Sequence, residues 1–83
     1  MTTNTILMYS TTWCGDCRRA KNFFNEYGVA FTEINIEHEP DAAEIVRRLN
    51  GGYQSVPTIL FPDGSVLVEP SNRELAAKTG IEL

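Results

Sequence analysis

Two sulfurs carry the most pointed chemical signal in this chain of 83 residues. Cys14 and Cys17, its only cysteines, lie within Trp13-Cys14-Gly15-Asp16-Cys17. If a helix begins at Cys14, residues three apart share a face, and the two sulfurs can join as a disulfide or rest as paired thiols. The first turn of a helix has N–H groups without intrahelical partners and a partial positive charge, and both stabilise a thiolate there. The spacing therefore predicts Cys14 as the nucleophile and Cys17, one turn further in, as the resolving thiol. Nearby charges are mixed: Asp16 opposes a thiolate, whereas Arg18, Arg19 and Lys21 favour it.

Three kinds of chemistry use C-x-x-C. A structural zinc ion takes four ligands, and beyond the two cysteines the only other soft ligand here is His38, so no metal is expected. His38 itself lies among acids in a helix-entry stretch and reads as a solvated residue. A purely structural crosslink closing so short a loop constrains the unfolded chain little. Thiol–disulfide exchange is the favoured reading, on condition that the motif follows a strand and opens a helix.

The flanking sequence meets that condition. Thr5–Tyr9 is a short apolar run that reads as a central strand, leading through Ser10-Thr11-Thr12 to the motif. From Cys14 to Tyr27, Ala20, Phe23, Phe24 and Tyr27 recur at the spacing of one helix face, and Gly28 provides a stop. Phe31–Ile36 reads as a second strand, so the first half is a parallel βαβ unit. Pro40 and Asp41 suit the first turn of a second helix, with Ala42, Ile45, Val46 and Leu49 as its apolar face and Asn50-Gly51-Gly52 as its end. Ser55-Val56-Pro57 precedes a strand at Thr58–Phe61, and a proline there marks a turn. Pro62-Asp63-Gly64-Ser65 turns the chain into Val66–Val68 as an antiparallel partner. Ser71 and Glu74 form a capping box for a last helix that turns Leu75, Ala76 and Thr79 inward and runs to Gly80. The order β-α-β-α-β-β-α fits one α/β domain over residues 1–83, a four-stranded mixed sheet with helices on both faces.

Composition narrows the function. Apolar residues make up 42% of the chain, enough for a modest core. Seven basic and eleven acidic residues give a net charge of −4, and no basic tract is present, which argues against nucleic acid as a partner. Met1–Asn4 is polar and followed by only a brief apolar run, so neither a signal peptide nor a membrane span is expected. A cytoplasmic location follows as an expectation, and there an accessible C-x-x-C is catalytic rather than structural.

These residues together resemble the glutaredoxin group of the thioredoxin fold over nearly the whole chain. The resemblance rests on Tyr9-Ser10-Thr11-Thr12-Trp13-Cys14-Gly15-Asp16-Cys17, on Ser55-Val56-Pro57 and on the final hairpin and helix. Within that group the chain is most similar to actinobacterial mycoredoxins, through Asn35-Ile36-Glu37-His38, Asn50-Gly51-Gly52, Val56-Pro57-Thr58, Asp63-Gly64-Ser65 and Pro70-Ser71. The resemblance implies a monomeric enzyme that reduces mixed disulfides between proteins and a low-molecular-weight thiol, glutathione or mycothiol, as co-substrate. It also implies a cis Pro57 beside the sulfurs, and a Val56 backbone that pairs with an extended guest.

Two departures bear on which thiol is used. Glutaredoxins usually carry a basic residue three before the nucleophile, where this chain has Thr11. At the start of the last helix they carry Gly-Gly and then a Cys/Thr-Asp pair; here Glu69-Pro70-Ser71-Asn72 stands instead. Both weaken the case for glutathione and favour mycothiol, a sugar-bearing thiol whose hydroxyls Ser71 and Asn72 could bind, although Ser71 also serves as a plain cap. Trp13 either stacks on a guest ring or shields the site. Two rival readings share the fold. One is a redoxin reduced by a flavoprotein, thioredoxin reductase, that donates electrons to an enzyme such as ribonucleotide reductase. The other is an iron–sulfur cluster carrier, a reading that the second motif cysteine disfavours.

Overall fold

The computed structural model describes residues 5–83. The reading of Met1–Asn4 as free of a targeting signal lies outside the described residues. Seven elements follow in order: β1 (Ile6–Ser10), α1 (Gly15–Glu26), β2 (Phe31–Asn35), α2 (Pro40–Leu49), β3 (Thr58–Leu60), β4 (Val66–Val68) and α3 (Asn72–Thr79). The strands lie in the order β2-β1-β3-β4. β1 runs parallel to β2, with Ile6 opposite Phe31 and Ser10 opposite Asn35, and antiparallel to β3; β4 closes the sheet antiparallel to β3. Among the described residues no helix is long and apolar enough to cross a membrane.

Alternation along β1 divides the core between the two faces of the sheet. Ile6 and Met8 face α1 and α3, where they pack with Ala20, Phe23, Phe24, Ile59, Phe61, Leu75 and Ala76. Tyr9 faces α2, where Ile36, Ala42, Ala43 and Val46 meet it. Phe24, fully buried between helix and sheet, is the largest of these anchors, and truncation to Ala costs about 3–5 kcal/mol.

Two details differ from the periodic reading of the sequence. The second helix does not turn Ile45 and Leu49 inward: they remain 41% and 37% exposed, and Ala43 is buried instead. Ala42, Ala43 and Val46 make the contact with Tyr9 and Ile36, which leaves the bulkier Ile45 and Leu49 at its margin. Tyr27 is the C-cap of α1 rather than part of its buried face. Its ring rests on Phe23 at 4.8 Å between centroids while staying 41% exposed. Gly28, at φ 68°, then reverses the chain toward β2. The third helix matches its expected start: the Ser71 hydroxyl accepts from the Glu74 N–H, and the Glu74 carboxylate accepts from the Ser71 N–H.

Candidate active site

The C-terminal end of β1, the start of α1 and the turn before β3 meet at the two sulfurs, and the start of α3 is tied to α1 through Arg19. Cys14 is not the first helical residue but the N-cap of α1, one position earlier than the sequence suggested. Its backbone is extended, and its carbonyl accepts the Arg18 N–H at 3.2 Å. Its Sγ accepts the Cys17 N–H at 3.0 Å. The sulfur thus takes the place that a serine or aspartate oxygen holds in an ordinary cap, where an otherwise orphaned donor stabilises negative charge. Cys14 and Cys17 form a disulfide with Cα atoms 5.2 Å apart. Cys17 is 2% exposed and belongs to the interior, whereas Cys14 is half-buried at the surface. An incoming reagent therefore meets Cys14.

The Val56–Pro57 bond is cis, and the Val56 carbonyl oxygen lies 3.8 Å from Cys14 Sγ. The Pro57 carbonyl accepts the Glu69 N–H at 2.9 Å, which ties the end of β4 to this turn. Behind it, the Asn50 amide donates to Thr58 Oγ1 at 2.8 Å, and that hydroxyl donates to the Ser55 carbonyl at 2.7 Å. The loop entering β3 is therefore anchored at both ends.

Trp13 projects beside the disulfide and is 75% exposed. Its indole Nε1 donates to Glu37 Oε2 at 3.2 Å, and the Thr12 N–H donates to Glu37 Oε1 at 2.8 Å. Hydrogen bonding, chiefly from the Thr12 backbone, holds the Glu37 carboxyl below the usual carboxylate range. Asn35 bridges the same loop to β2, donating to Thr12 Oγ1 at 2.9 Å and accepting the Glu37 N–H at 2.9 Å. Glu37 gave no sequence signal of this role beyond its place in Asn35-Ile36-Glu37-His38. His38 is exposed.

The remaining candidates fall on two sides of the sulfurs. Thr11 lines a polar cavity of about 300 Å³ that also touches Cys14 and Cys17. At the start of α3, the Ser71 hydroxyl is engaged in the capping box and Asn72 Oδ1 accepts from Arg19 Nη1 at 2.8 Å. Arg19 Nη2 also donates to the Pro70 carbonyl at 2.7 Å and lies 3.6 Å from the Asp16 carboxylate. Lys21 pairs with Glu33 at 2.9 Å. Burial works against the charge of Glu33, but the hydrogen bonds from Lys21 and Ser10 outweigh it and keep the carboxyl below its usual range. Of the three cations expected to favour a thiolate, Arg19 and Lys21 are thus committed to other partners. No cluster of three metal-ligating side chains occurs among the described residues.

Comparison with known proteins agrees with this geometry. The glutaredoxin family model matches residues 6–66. A glutaredoxin-named protein of Mycobacterium tuberculosis is 45% identical over 94% of this chain and 93% of its own. Mycoredoxin 1 of Corynebacterium glutamicum is 30% identical over 88% of this chain and 90% of its own. A glutaredoxin-like protein NrdH of Lactococcus lactis is 33% identical over 70% of this chain and 78% of its own. Among solved structures, a glutaredoxin from Methanosarcina mazei superposes with a TM-score of 0.78 at 26% identity, covering 94% of this chain and 80% of that one.

Proposed function

The chain belongs to the glutaredoxin family, and from that premise we propose that it reduces mixed disulfides between proteins and mycothiol. Cys14 acts as nucleophile and Cys17 as resolving thiol. The observation that carries this reading is the N-cap position of Cys14, with the Cys17 N–H directed at its sulfur and Cys17 itself withdrawn from solvent.

In the reaction, the Cys14 thiolate attacks the mycothiol sulfur of the mixed disulfide. The protein sulfur leaves as a thiolate and takes up a proton, so the target is reduced and mycothiol becomes bonded to Cys14. A second mycothiol thiolate then attacks its bound counterpart, releasing the oxidised dimer and the Cys14 thiolate. Alternatively the Cys17 thiolate attacks Cys14 Sγ, expels mycothiol and leaves the intramolecular disulfide. The guest lies along Val56 and Pro57, with Trp13 covering it and Ser71, Asn72 and Thr11 available to its polar atoms. Mycothiol is favoured over glutathione by Thr11, which stands where a cation would hold a carboxylate, and by Glu69-Pro70-Ser71-Asn72 at α3. Similarity to a mycoredoxin supports the same choice. A monomer in the cytoplasm, where small thiols are reduced, suits this activity.

A second reading is supported by the similarity to a glutaredoxin-like protein NrdH: a redoxin reduced directly by a flavoprotein disulfide reductase and serving a dithiol-dependent enzyme such as ribonucleotide reductase. One experiment separates the two. The oxidised protein is mixed in turn with mycothiol, with glutathione, and with thioredoxin reductase and NADPH, while Trp13 fluorescence reports the state of the adjacent disulfide. Reduction by mycothiol supports the first reading; response to the flavoprotein alone replaces it with the second.

A further inference from the structure

The cavity beside the disulfide lies between α1 and β2, away from Val56, Pro57 and the start of α3. Its volume of about 300 Å³ sits at the low end of small-molecule sites, and it touches both cysteines. A group tethered to Cys14 Sγ is therefore within reach of it. Most of its polar wall is already internally paired. Lys21 bonds to Glu33, Ser10 Oγ donates to Glu33 Oε2 at 2.9 Å, and Asn35 is held by Thr12 and Glu37. Two groups are not. Arg18 lines the cavity, and its side chain makes no hydrogen bond or ion pair among the described residues, which leaves all five guanidinium donors free. The Thr11 hydroxyl is buried and likewise has no partner among the described residues.

We infer that this cavity seats the neutral, polyhydroxylated part of the small-thiol co-substrate, with Arg18 and the Thr11 hydroxyl as its principal contacts. The inference rests on the mycothiol reading above and deepens it. The mix of donors and acceptors on the wall sets the class of guest. Lys21 and Glu33 neutralise each other, so that pair offers a guest hydrogen-bonding groups rather than net charge. A hydroxyl both donates and accepts, and here it meets donors on Arg18, a donor-acceptor on Thr11 and spare lone pairs on Glu33. Such a wall, with donors and acceptors interleaved, suits the hydroxyls of a sugar ring.

Arg18→Ala tests this, because the side chain is exposed and its loss leaves the core untouched. The oxidised full-length protein is reduced by mycothiol or by glutathione, and the rate constants are compared between wild type and variant. The expected result is about a tenfold loss with mycothiol, the equivalent of one charge-assisted hydrogen bond, and a change within about twofold with glutathione. Equal losses with both thiols would show that Arg18 acts on the Cys14 thiolate and would overturn the subsite. No loss with mycothiol would overturn it too, while leaving the mycothiol-dependent activity in place. If wild type is reduced by neither thiol and only by the flavoprotein, the proposed function fails and the subsite fails with it.

Discussion

The Trp13 indole is held by Glu37, Nε1 to Oε2 at 3.2 Å, while the other oxygen of the same carboxylate binds the Thr12 N–H at 2.8 Å. One side chain just beyond β2 therefore fixes both the backbone that leads into the C-x-x-C motif and the aromatic that stands over it. Because Trp13 is otherwise exposed, this carboxylate sets its orientation.

That arrangement predicts a pH dependence. The Glu37 carboxyl is depressed from its ordinary value of 4.5, chiefly by the Thr12 N–H. A group depressed on folding contributes stability that is present above its unfolded value and lost as pH falls through its folded value. The midpoint of the acid change in Trp13 fluorescence should therefore lie below the ordinary carboxyl value of 4.5. Glu37→Gln should abolish that transition and shift the neutral-pH spectrum, since an amide offers one acceptor where the carboxylate offers two. An unchanged acid transition in the variant would assign it to another carboxylate, with Glu33 the first to examine.

Arg19 predicts a stability effect without a catalytic one at Cys14. Its two nitrogens tie α1 to the Asn72 side chain and the Pro70 carbonyl, so it braces the start of α3 against α1. Arg19→Ala should lower unfolding stability by roughly 1–2 kcal/mol, measured as a shift of the urea midpoint at constant slope. Asp16→Ala should cost at most about 0.5 kcal/mol, because that ion pair is longer, at 3.6 Å, and exposed. A larger effect at Asp16 than at Arg19 would place the brace in the ion pair instead.

These two contacts also show where sequence reasoning ran out. The capping box at Ser71 and Glu74 was legible because its partners are three residues apart and belong to one helix. The sulfur cap at Cys14 was legible for the same reason, to within one residue. Glu37 binds a residue 24 positions away and Arg19 one 53 positions away, and only the βαβ crossover and the return of β4 bring those pairs together. Periodicity names a face for α2 but not which part of that face meets the sheet, so it includes Ile45 and Leu49, which the structure leaves exposed. Arg18, Arg19 and Lys21 read alike as cations near a thiolate. Only the tertiary partners of Arg19 and Lys21 set Arg18 apart.

Glu69 predicts a stabilising substitution. It has φ 48°, a left-handed conformation that costs a side chain with a Cβ about 1–2 kcal/mol. The position is kept because its N–H closes on the Pro57 carbonyl at 2.9 Å. Glycine adopts the same angle without that penalty but loses more freedom on folding, roughly 0.5–1 kcal/mol. Glu69→Gly should therefore raise stability by about 0.5 kcal/mol in urea unfolding. A destabilised variant would mean that the carboxylate, not the backbone angle, matters there.

The cysteines themselves give the sharpest kinetic contrast. Cys14 presents its sulfur at the surface under the Cys17 N–H, whereas Cys17 is 2% exposed and cannot meet a protein disulfide directly. Cys14→Ser should reduce turnover of a protein–mycothiol mixed disulfide to background. In Cys17→Ser the attacking sulfur remains, and the serine N–H still caps it. Regeneration by a second mycothiol bypasses the missing thiol, so activity should stay within about tenfold of wild type, ~1.4 kcal/mol in barrier. The intermediate should then persist as a covalent adduct on Cys14, visible by mass spectrometry as the mass of one mycothiol. Equal loss in both variants, with no adduct, would make the dithiol route obligatory and shift the protein toward the flavoprotein-reduced redoxins.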